Sequence, residues 1–559
     1  MRRKDTKNNA KHWFWTGAII VGLALLLFVG FFFFNGWMQR KLERMVHKQT
    51  NGIYTLHLLG FQASPFTGTL SIDSIALEPD LNRWEQLEKQ DTKAPAMLVE
   101  ITSGPLALRG LNYSRMLFRE GLGMHLLRLQ HPNITLLQMK QDSSQQSKQP
   151  LYKSLKGMLQ GMRIDRIDVN RGMLQYKQKP DEKIPTFKVQ QFSLVVEDMQ
   201  LDSAAFVAKD RAYYARKIEL NAEKTHFLPP GSFSRLTIDS IQLSTAKHNL
   251  LATSLVLQPT GSAAELSRAK GQATSYTKVT IDRVALSGVN YEAHSRSHTY
   301  VVGKAVINSP HLNSFKDKKN FRDSGDKNPL PHQLMQQMKQ QFLVDTVQIR
   351  NGYIRYAELV PQATKRGYIT MENLYATATN LTNIPGHISH KNPAVIEAKM
   401  KVMGKAPLSF TIRMPLLDKN GYHTISGSIG ESEPEILNPI LAPTTFISVE
   451  SGHIRSGQFN ITLTNDHADG TMKLLYSNLE VELLSKGKGE RQSLGKEILS
   501  EIANWVAIKS SNPEDKGEQP RIGDITVTRN PQKTIFSYWK DCIASGFLSS
   551  MGLEKKSNK

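Results

Sequence analysis

Ile164-Asp-Arg-Ile-Asp-Val-Asn-Arg-Gly-Met-Leu-Gln-Tyr176 and Val344-Asp-Thr-Val-Gln-Ile-Arg-Asn-Gly-Tyr-Ile-Arg-Tyr356 carry one pattern written twice. The glycines are Gly172 and Gly352 and the tyrosines Tyr176 and Tyr356, so both pairs stand 180 residues apart. A partial third copy surrounds Gly452, in Ile447-Ser-Val-Glu-Ser-Gly-His-Ile454. In each copy an apolar residue lies three before the glycine and another two after it. Alternation on both sides of a glycine predicts a β-hairpin of strand, tight turn and strand. Asn351-Gly352 has the best turn chemistry of the three, because both central residues of a type I′ turn take positive φ. A phosphate-cradling loop would carry several glycines and open a helix, whereas here a strand follows. Gly172, Tyr176, Gly352, Tyr356 and Gly452 are therefore read as scaffold, not as a site.

Outward from these hairpins other landmarks keep the same spacing. Ala107-Leu-Arg-Gly-Leu-Asn-Tyr113 returns as Ala285-Leu-Ser-Gly-Val-Asn-Tyr291, and His131-Pro-Asn-Ile134 as Ser309-Pro-His-Leu312, both 178 residues on. Leu77-Glu-Pro79 returns 180 residues on as Leu257-Gln-Pro259, and Leu194 and Leu201 match Leu374 and Leu381. The period exceeds that of a solenoid repeat, so each unit must hold several hairpins. The expected organisation is a short tail (1–12), an apolar run (13–38), two β repeat units (39–250 and 251–430), and a C-terminal β unit with amphipathic helices (431–559).

Residues 13–38 contain no charge and exceed the roughly 20 apolar residues that a bilayer requires. Trp13, Trp15 and Trp37 mark the ends of this run, where amphipathic rings prefer the headgroup level, and Leu25 and Phe32 lie inside it. The run is too long for a signal peptide and lacks a small-residue cleavage site, which predicts an uncleaved single-pass anchor. Basic residues flank both ends. The short basic tail assigns the N-terminus to the cytoplasm and the bulk of the chain to the far side.

The rest of the chain is punctuated alternation: Tyr54, Leu56 and Leu58; Leu70 and Ile72; Met97–Ile101; Met124–Leu137; Lys217–Leu257; Ala394–Ile429; Phe446–Leu484. Leu42, Met45 and Val46 continue the anchor helix by a turn or two. Short helices are expected over Leu151–Met162, Gln333–Phe342, Leu494–Ile508 and Cys542–Leu553, connectors over Gln141–Pro150 and Asn313–Pro331, and final strands over Asp524–Thr528 and Thr534–Trp539. The fold class is mainly β: an N-terminal transmembrane helix, then an elongated, duplicated, curled β-sheet with few helices.

Chemistry-bearing motifs are missing from the sequence. It holds no His-Glu-x-x-His, Gly-x-Ser-x-Gly, phosphate loop or dinucleotide fingerprint. Three Ser-x-x-Lys spacings, beginning at Ser244, Ser267 and Ser275, have no partner motif. His453 and His467 near Asp466 and Asp469 lack metal-site spacing, and the lone Cys542 reads as a small buried hydrophobe. No catalytic residue, metal or cofactor is expected, and the chain is not read as an enzyme. A net charge of +21 is spread along the whole chain without a basic helix or zinc motif, so nucleic acid is not the expected partner. Anionic lipid headgroups or acidic envelope glycans suit that charge better.

A long alternating sheet has one apolar face that must be covered. With few helices to cover it, the sheet curls over a dry core or leaves an apolar trough. Such a trough would hold acyl chains, each sheltered methylene contributing about 0.8 kcal/mol.

The anchor, the segment Gly68-Thr-Leu-Ser-Ile-Asp-Ser-Ile-Ala-Leu-Glu-Pro79, the strand ending in Pro132-Asn-Ile134, and the Ile-x-x-Gly-x-Leu-x-Tyr hairpin follow in one order. So arranged, the chain resembles the AsmA-like family of Gram-negative envelope proteins, whose larger relatives include TamB and YhdP. Ser451-Gly452, Asn465-Asp466, Gly470-Thr-Met472 and Tyr476-Ser-Asn-Leu479 are similar to the end of such proteins. The resemblance implies an inner-membrane protein with a periplasmic β-groove linked to phospholipid movement, and it supplies no catalytic residues. The alternative expectation is an anchored scaffold that assembles envelope proteins through protein contacts.

Overall fold

The computed structural model describes residues 35–553, apart from 65, 91–93, 113–120, 141–160, 230, 324, 485–507 and 516. Trp13, Trp15, Leu25 and Phe32, the connector at 141–150, and nearly all of the helices expected from Leu151 and Leu494 lie outside the described residues. Among the described residues no helix is long and apolar enough to cross a membrane. The protein is mainly β, with 24 strands among the described residues. Two compact units divide it, residues 1–223 and 224–559.

In the first unit helix α1 (35–49) is followed by β1 (Tyr54–Leu59), β2 (Gln62–Ser64), β3 (Thr69–Ile72), β4 (Ser74–Pro79), α2 (Leu81–Lys89), β5 (Met97–Ser103) and β6 (Leu106–Arg109). Next come β7 (Gly123–Gln130), β8 (Asn133–Gln138), β9 (Met162–Lys177) and β10 (Phe187–Leu201). Two antiparallel ladders form, β1–β4–β5–β8 and β2–β3–β6–β7. Both end on β9, where β7 pairs in parallel with its first half and β8 with its second. β7 and β8 behave as one strand interrupted at Pro132, which has no N–H to give the ladder. The His131 N–H donates to the Asn170 carbonyl (2.8 Å) and the Met173 N–H to the Pro132 carbonyl (2.6 Å), which bridges the break. β10 then pairs antiparallel with β9.

β11 (Ala215–Phe227) carries the chain into the second unit, where the plan repeats. β12 (Ser234–Ser244) stands for β1 and β2 together, β13 (Asn249–Pro259) for β3 and β4, and α3 (Ala263–Lys270) for α2. β14 (Tyr276–Val289) stands for β5 and β6, β15 (Tyr300–Asn308) and β16 (His311–Asp317) for β7 and β8, β17 (Phe342–Leu359) for β9, and β18 (Gly367–Thr382) for β10. β15 and β16 lie parallel to the two halves of β17, broken at Pro310 as their counterparts are at Pro132. The bridging bonds recur too: Ser309 N–H to the Arg350 carbonyl and Tyr353 N–H to the Pro310 carbonyl, both 2.8 Å. The second copy thus opens with β12 at Ser234, 180 residues after Tyr54 and before the expected boundary at 251. The parallel join needs a crossover connection, and helix α4 (Pro331–Gln337) lies within it. β16 runs to Asp317, into what the composition suggests is connector.

An antiparallel meander completes the unit: β19 (Ala394–Val402), β20 (Ala406–Met414), β21 (His423–Ile429), β22 (Ile447–Leu463), β23 (His467–Leu483) and β24 (Ile522–Thr528). Helix α5 (Asn438–Thr445) precedes β22, and helix α6 (Ile535–Ser550) ends the described chain. The strand expected over Thr534–Trp539 is instead the first turn of α6. Thr534 is its N-cap, its hydroxyl accepting the Ser537 N–H (3.3 Å), a local signal stronger than the alternation.

The repeated glycines correct the hairpin expectation. Gly172, Gly352 and Gly452 lie inside the long strands β9, β17 and β22, not in turns. At the first two, positive φ belongs to the residue before, Arg171 (52°) and Asn351 (53°), and at the third to Gly452 itself (153°). The register slips on both sides of the pairs Gly172–Phe192 and Gly352–Leu374, which makes each a β-bulge that bends its strand beside the proline break in the neighbour. Glycine is required at 172 because a Cβ there would sit 2.5 Å from the Phe192 ring, whereas at 352 the nearest atom is 3.2 Å away. Gly172→Ala is therefore expected to cost about 1–3 kcal/mol, the range for overpacking. Gly352→Ala should cost less, the two being compared by urea midpoint; equal midpoints would remove the role given to Phe192.

Candidate functional site: a sheet apolar on one face

The register of the second unit lines up one residue per strand. Leu243, Leu250, Leu286, Ala305, Val347, Ala378, Ile396, Ile412, Ile425, Ile461, Gly470 and Ile525 are successive cross-strand partners from β12 to β24. Side chains alternate between faces, so the neighbouring series belongs to the opposite face; across β12–β15 it reads Gln242, Leu251, Ala285 and Val306, and from β17 onward it is polar. There it runs Gln348, Thr377, Glu397, Thr411, Ser426, Asn460, Thr471 and Asp524. A hollow of about 700 Å³ is lined chiefly by this polar side, including Thr377, Glu397, Lys399, Ser409 and Thr411.

A second apolar series lies across the bulges: Leu236, Leu257, Val279, Leu312 and Ile354. Its counterparts in the first unit are Leu56, Leu77, Ile101, Ile134 and Leu174, again paired in that order. Ile349 and Ile354, on either side of the bulge, pack against one cluster with Leu374, so the two series share a face. An extra residue at the bulge keeps the face unchanged although the spacing is odd.

Burial along this face is graded. At the β24 end Ile412, Ile425, Ile461 and Ile525 are between 1% and 6% exposed and belong to a large buried cluster. Helix α6 covers them: a Cβ on Gly546 would come within 2.9 Å of both Met472 and Ile525, and Trp539, Ile543 and Phe547 pack on the cluster. Its hydroxyls also close the free edge, Ser549 accepting the Asp524 N–H (2.9 Å) and Ser545 that of Thr526 (3.4 Å). Over β12–β17 the same face is different. Leu243, Leu250, Leu255, Ile281, Val284, Leu286, Val347 and Ile354 are all half-buried, Leu257 is exposed, and the small Ala252, Ala305 and Ser314 are buried.

Two histidines lock the covered end. His423 is fully buried; its Nδ1 pairs with the Gly421 carbonyl (2.8 Å) and its Nε2 accepts the indole N–H of Trp539 (3.0 Å). Burial pushes its pKa down to about 4. His332, on α4, is equally buried and donates from Nε2 to the Tyr422 carbonyl (3.1 Å), while its Nδ1 has no partner; burial lowers its pKa as well. Cys542 is fully buried in α6 and its thiol is pushed up to about 12, the behaviour of an inert core residue.

The scaffold residues stay apart. Tyr176 donates its hydroxyl to the Gln138 side chain, Tyr356 donates to Glu358 (2.8 Å), and Gly452 lies against Pro434 and Leu479. Trp37, in α1, is 47% exposed with the Lys41 ammonium 4.7 Å from its ring centre. Among the described residues no three His, Cys, Asp or Glu side chains converge as metal ligands would. The lining residues and the His332–His423–Trp539 cluster escape a motif search, because only the strand register brings them together.

Fold and site together define a class: a mainly β protein whose sheet is apolar on one face, covered at one end and half-shielded elsewhere. No family model matches the chain, and no curated protein matches it.

Proposed function

We propose that the protein is an inner-membrane-anchored, periplasmic β-groove that binds or transfers phospholipid during envelope biogenesis. One observation carries this: the apolar face that α6 buries over β21–β24 continues in register, half-shielded, across β12–β17. Acyl chains would lie along that stretch while headgroups stay in water. The uncharged run at 13–38 and the net charge of +21 support a membrane location beside anionic headgroups. No side chains are assigned a catalytic or cofactor-binding role.

The test is to extract the full chain in mild detergent and to analyse it by mass spectrometry. Stoichiometric phospholipid surviving extensive washing is the expected result. A lipid-free protein that instead crosslinks to one stable protein partner would replace this reading with the anchored scaffold.

A further inference from the structure

Side chains, not main-chain pairing, fasten α1 to the first strands. Gln39 Nε2 donates to the Leu58 carbonyl (2.7 Å), Glu43 accepts the Leu58 N–H (3.1 Å), and Asn35 Oδ1 accepts the Ala63 N–H (3.0 Å). Met38 and Leu42 pack on the Leu58–Phe61–Ala63 cluster. These contacts fix a direction. From Leu58 to Ala63 the chain passes the middle of α1 and then its beginning, so β2 points past the Asn35 end of α1, the end that the uncharged run precedes in the sequence.

The turn after β2 carries that direction further. Phe66, three residues beyond Ala63, is 97% exposed, and Leu59 and Trp37 are 65% and 47% exposed. At about 3.3 Å per residue the tip of the turn reaches roughly 5–10 Å past Ala63. Lys41 sits over the Trp37 ring, with Arg40 and Arg44 nearby in the same helix. Exposed aromatics ahead of a cationic belt match the acyl–headgroup boundary of a bilayer.

We infer that the β2–β3 turn is a second membrane contact, with Phe66, Leu59 and Trp37 seated in the bilayer surface beside the anchor. This rests on the reading of 13–38 as a membrane span. It also deepens the proposed function. The series Ala63, Leu70, Leu108, Leu127 and Ile167, successive partners across the first unit, then begins at the membrane itself. An acyl chain leaving the bilayer meets that series without crossing water.

The test labels the full chain with a polarity-sensitive fluorophore at one introduced cysteine at a time: Phe66→Cys, Leu25→Cys or Glu85→Cys. Buried Cys542 stays unlabelled under native conditions. Glu85 is the aqueous reference: it is exposed on α2, which Arg83 ties to Asn51 at the far end of α1 (2.9 Å), about 20 Å away by helical rise. Phe66 makes so little packing contact that its replacement leaves the fold intact. In vesicles of phosphatidylethanolamine and phosphatidylglycerol containing brominated lipid, the label at 66 should shift to the blue and be quenched several-fold more than that at 85. Quenching at 25, with 66 behaving like 85, overturns the second contact and leaves the anchor standing. Absence of quenching at 25 overturns the span and this inference with it.

Discussion

Leu286→Asp is expected to yield a folded protein that has lost most of its phospholipid, whereas Ile461→Asp yields no stable fold. The two residues belong to the same cross-strand series and differ in what lies above them. Ile461 is 2% exposed beneath the cover that α6 provides. A carboxylate there has neither water nor a partner, and several kcal/mol are lost, comparable with the whole margin of a typical domain. Leu286 is half-buried, so an aspartate keeps much of its hydration. The cost is then the lost shielding of one leucine, about 1 kcal/mol, and a melting midpoint lower by only a few degrees. For a bound acyl chain the same change is severe. Displacing on the order of four methylenes from the lining costs about 3 kcal/mol, more than a hundredfold in occupancy at that place. Thermal melting and lipid analysis of both variants check this. Unfolding of Leu286→Asp would mean that the face is a filled core over β12–β17, and the groove would be lost with it.

The duplication could be read from the sequence because it is punctuated by residues with backbone consequences. Pro132 and Pro310 remove a ladder N–H at equivalent places, and Asn351-Gly352 tolerates the positive φ that its bend needs. The form of the bend could not be read so directly. Val169 and Leu174, like Ile349 and Ile354, are five residues apart, an odd spacing that one face of a regular strand cannot produce. Either a turn or a bulge restores the face, and local turn chemistry favours the turn. What decides for the bulge is the neighbour across the parallel join, a contact more than 30 residues away in the chain. The first turns of α6, ahead of the helix expected from Cys542, were hidden for a similar reason. Ile535, Trp539, Ile543 and Phe547 have helical spacing, but the start of that run also alternates. The lining itself is legible only as half-buried strands. Which apolar residue stands beside which depends on the register of every strand between them.

Acidification should loosen the covered end before the rest of the second unit. The imidazoles of His332 and His423 have centroids 5.6 Å apart, and neither has room for a second proton. At His423, Nε2 already accepts the Trp539 N–H, so protonation there sets two donors against each other. At His332, the free Nδ1 is enclosed, and a proton on it would be an unpaired buried donor. Asp418 favours the charged form of His332 but does not offset burial. An unfolded histidine protonates near pH 6.5, whereas folded His423 stays neutral down to about pH 4. Its contribution to stability is therefore complete above pH 6.5 and declines as pH falls through that window. Below pH 4 the loss reaches about 3 kcal/mol for His423, and His332 adds to it in the same direction. Urea midpoints at pH 7.5 and pH 5, with hydrogen exchange followed in α6, measure the effect. His423→Gln keeps an acceptor for the Trp539 N–H and removes the titration, so its midpoint should change less with pH than that of the parent. If both proteins lose stability equally over that range, the proton acts elsewhere and His423 is not what ties α6 to the sheet in acid.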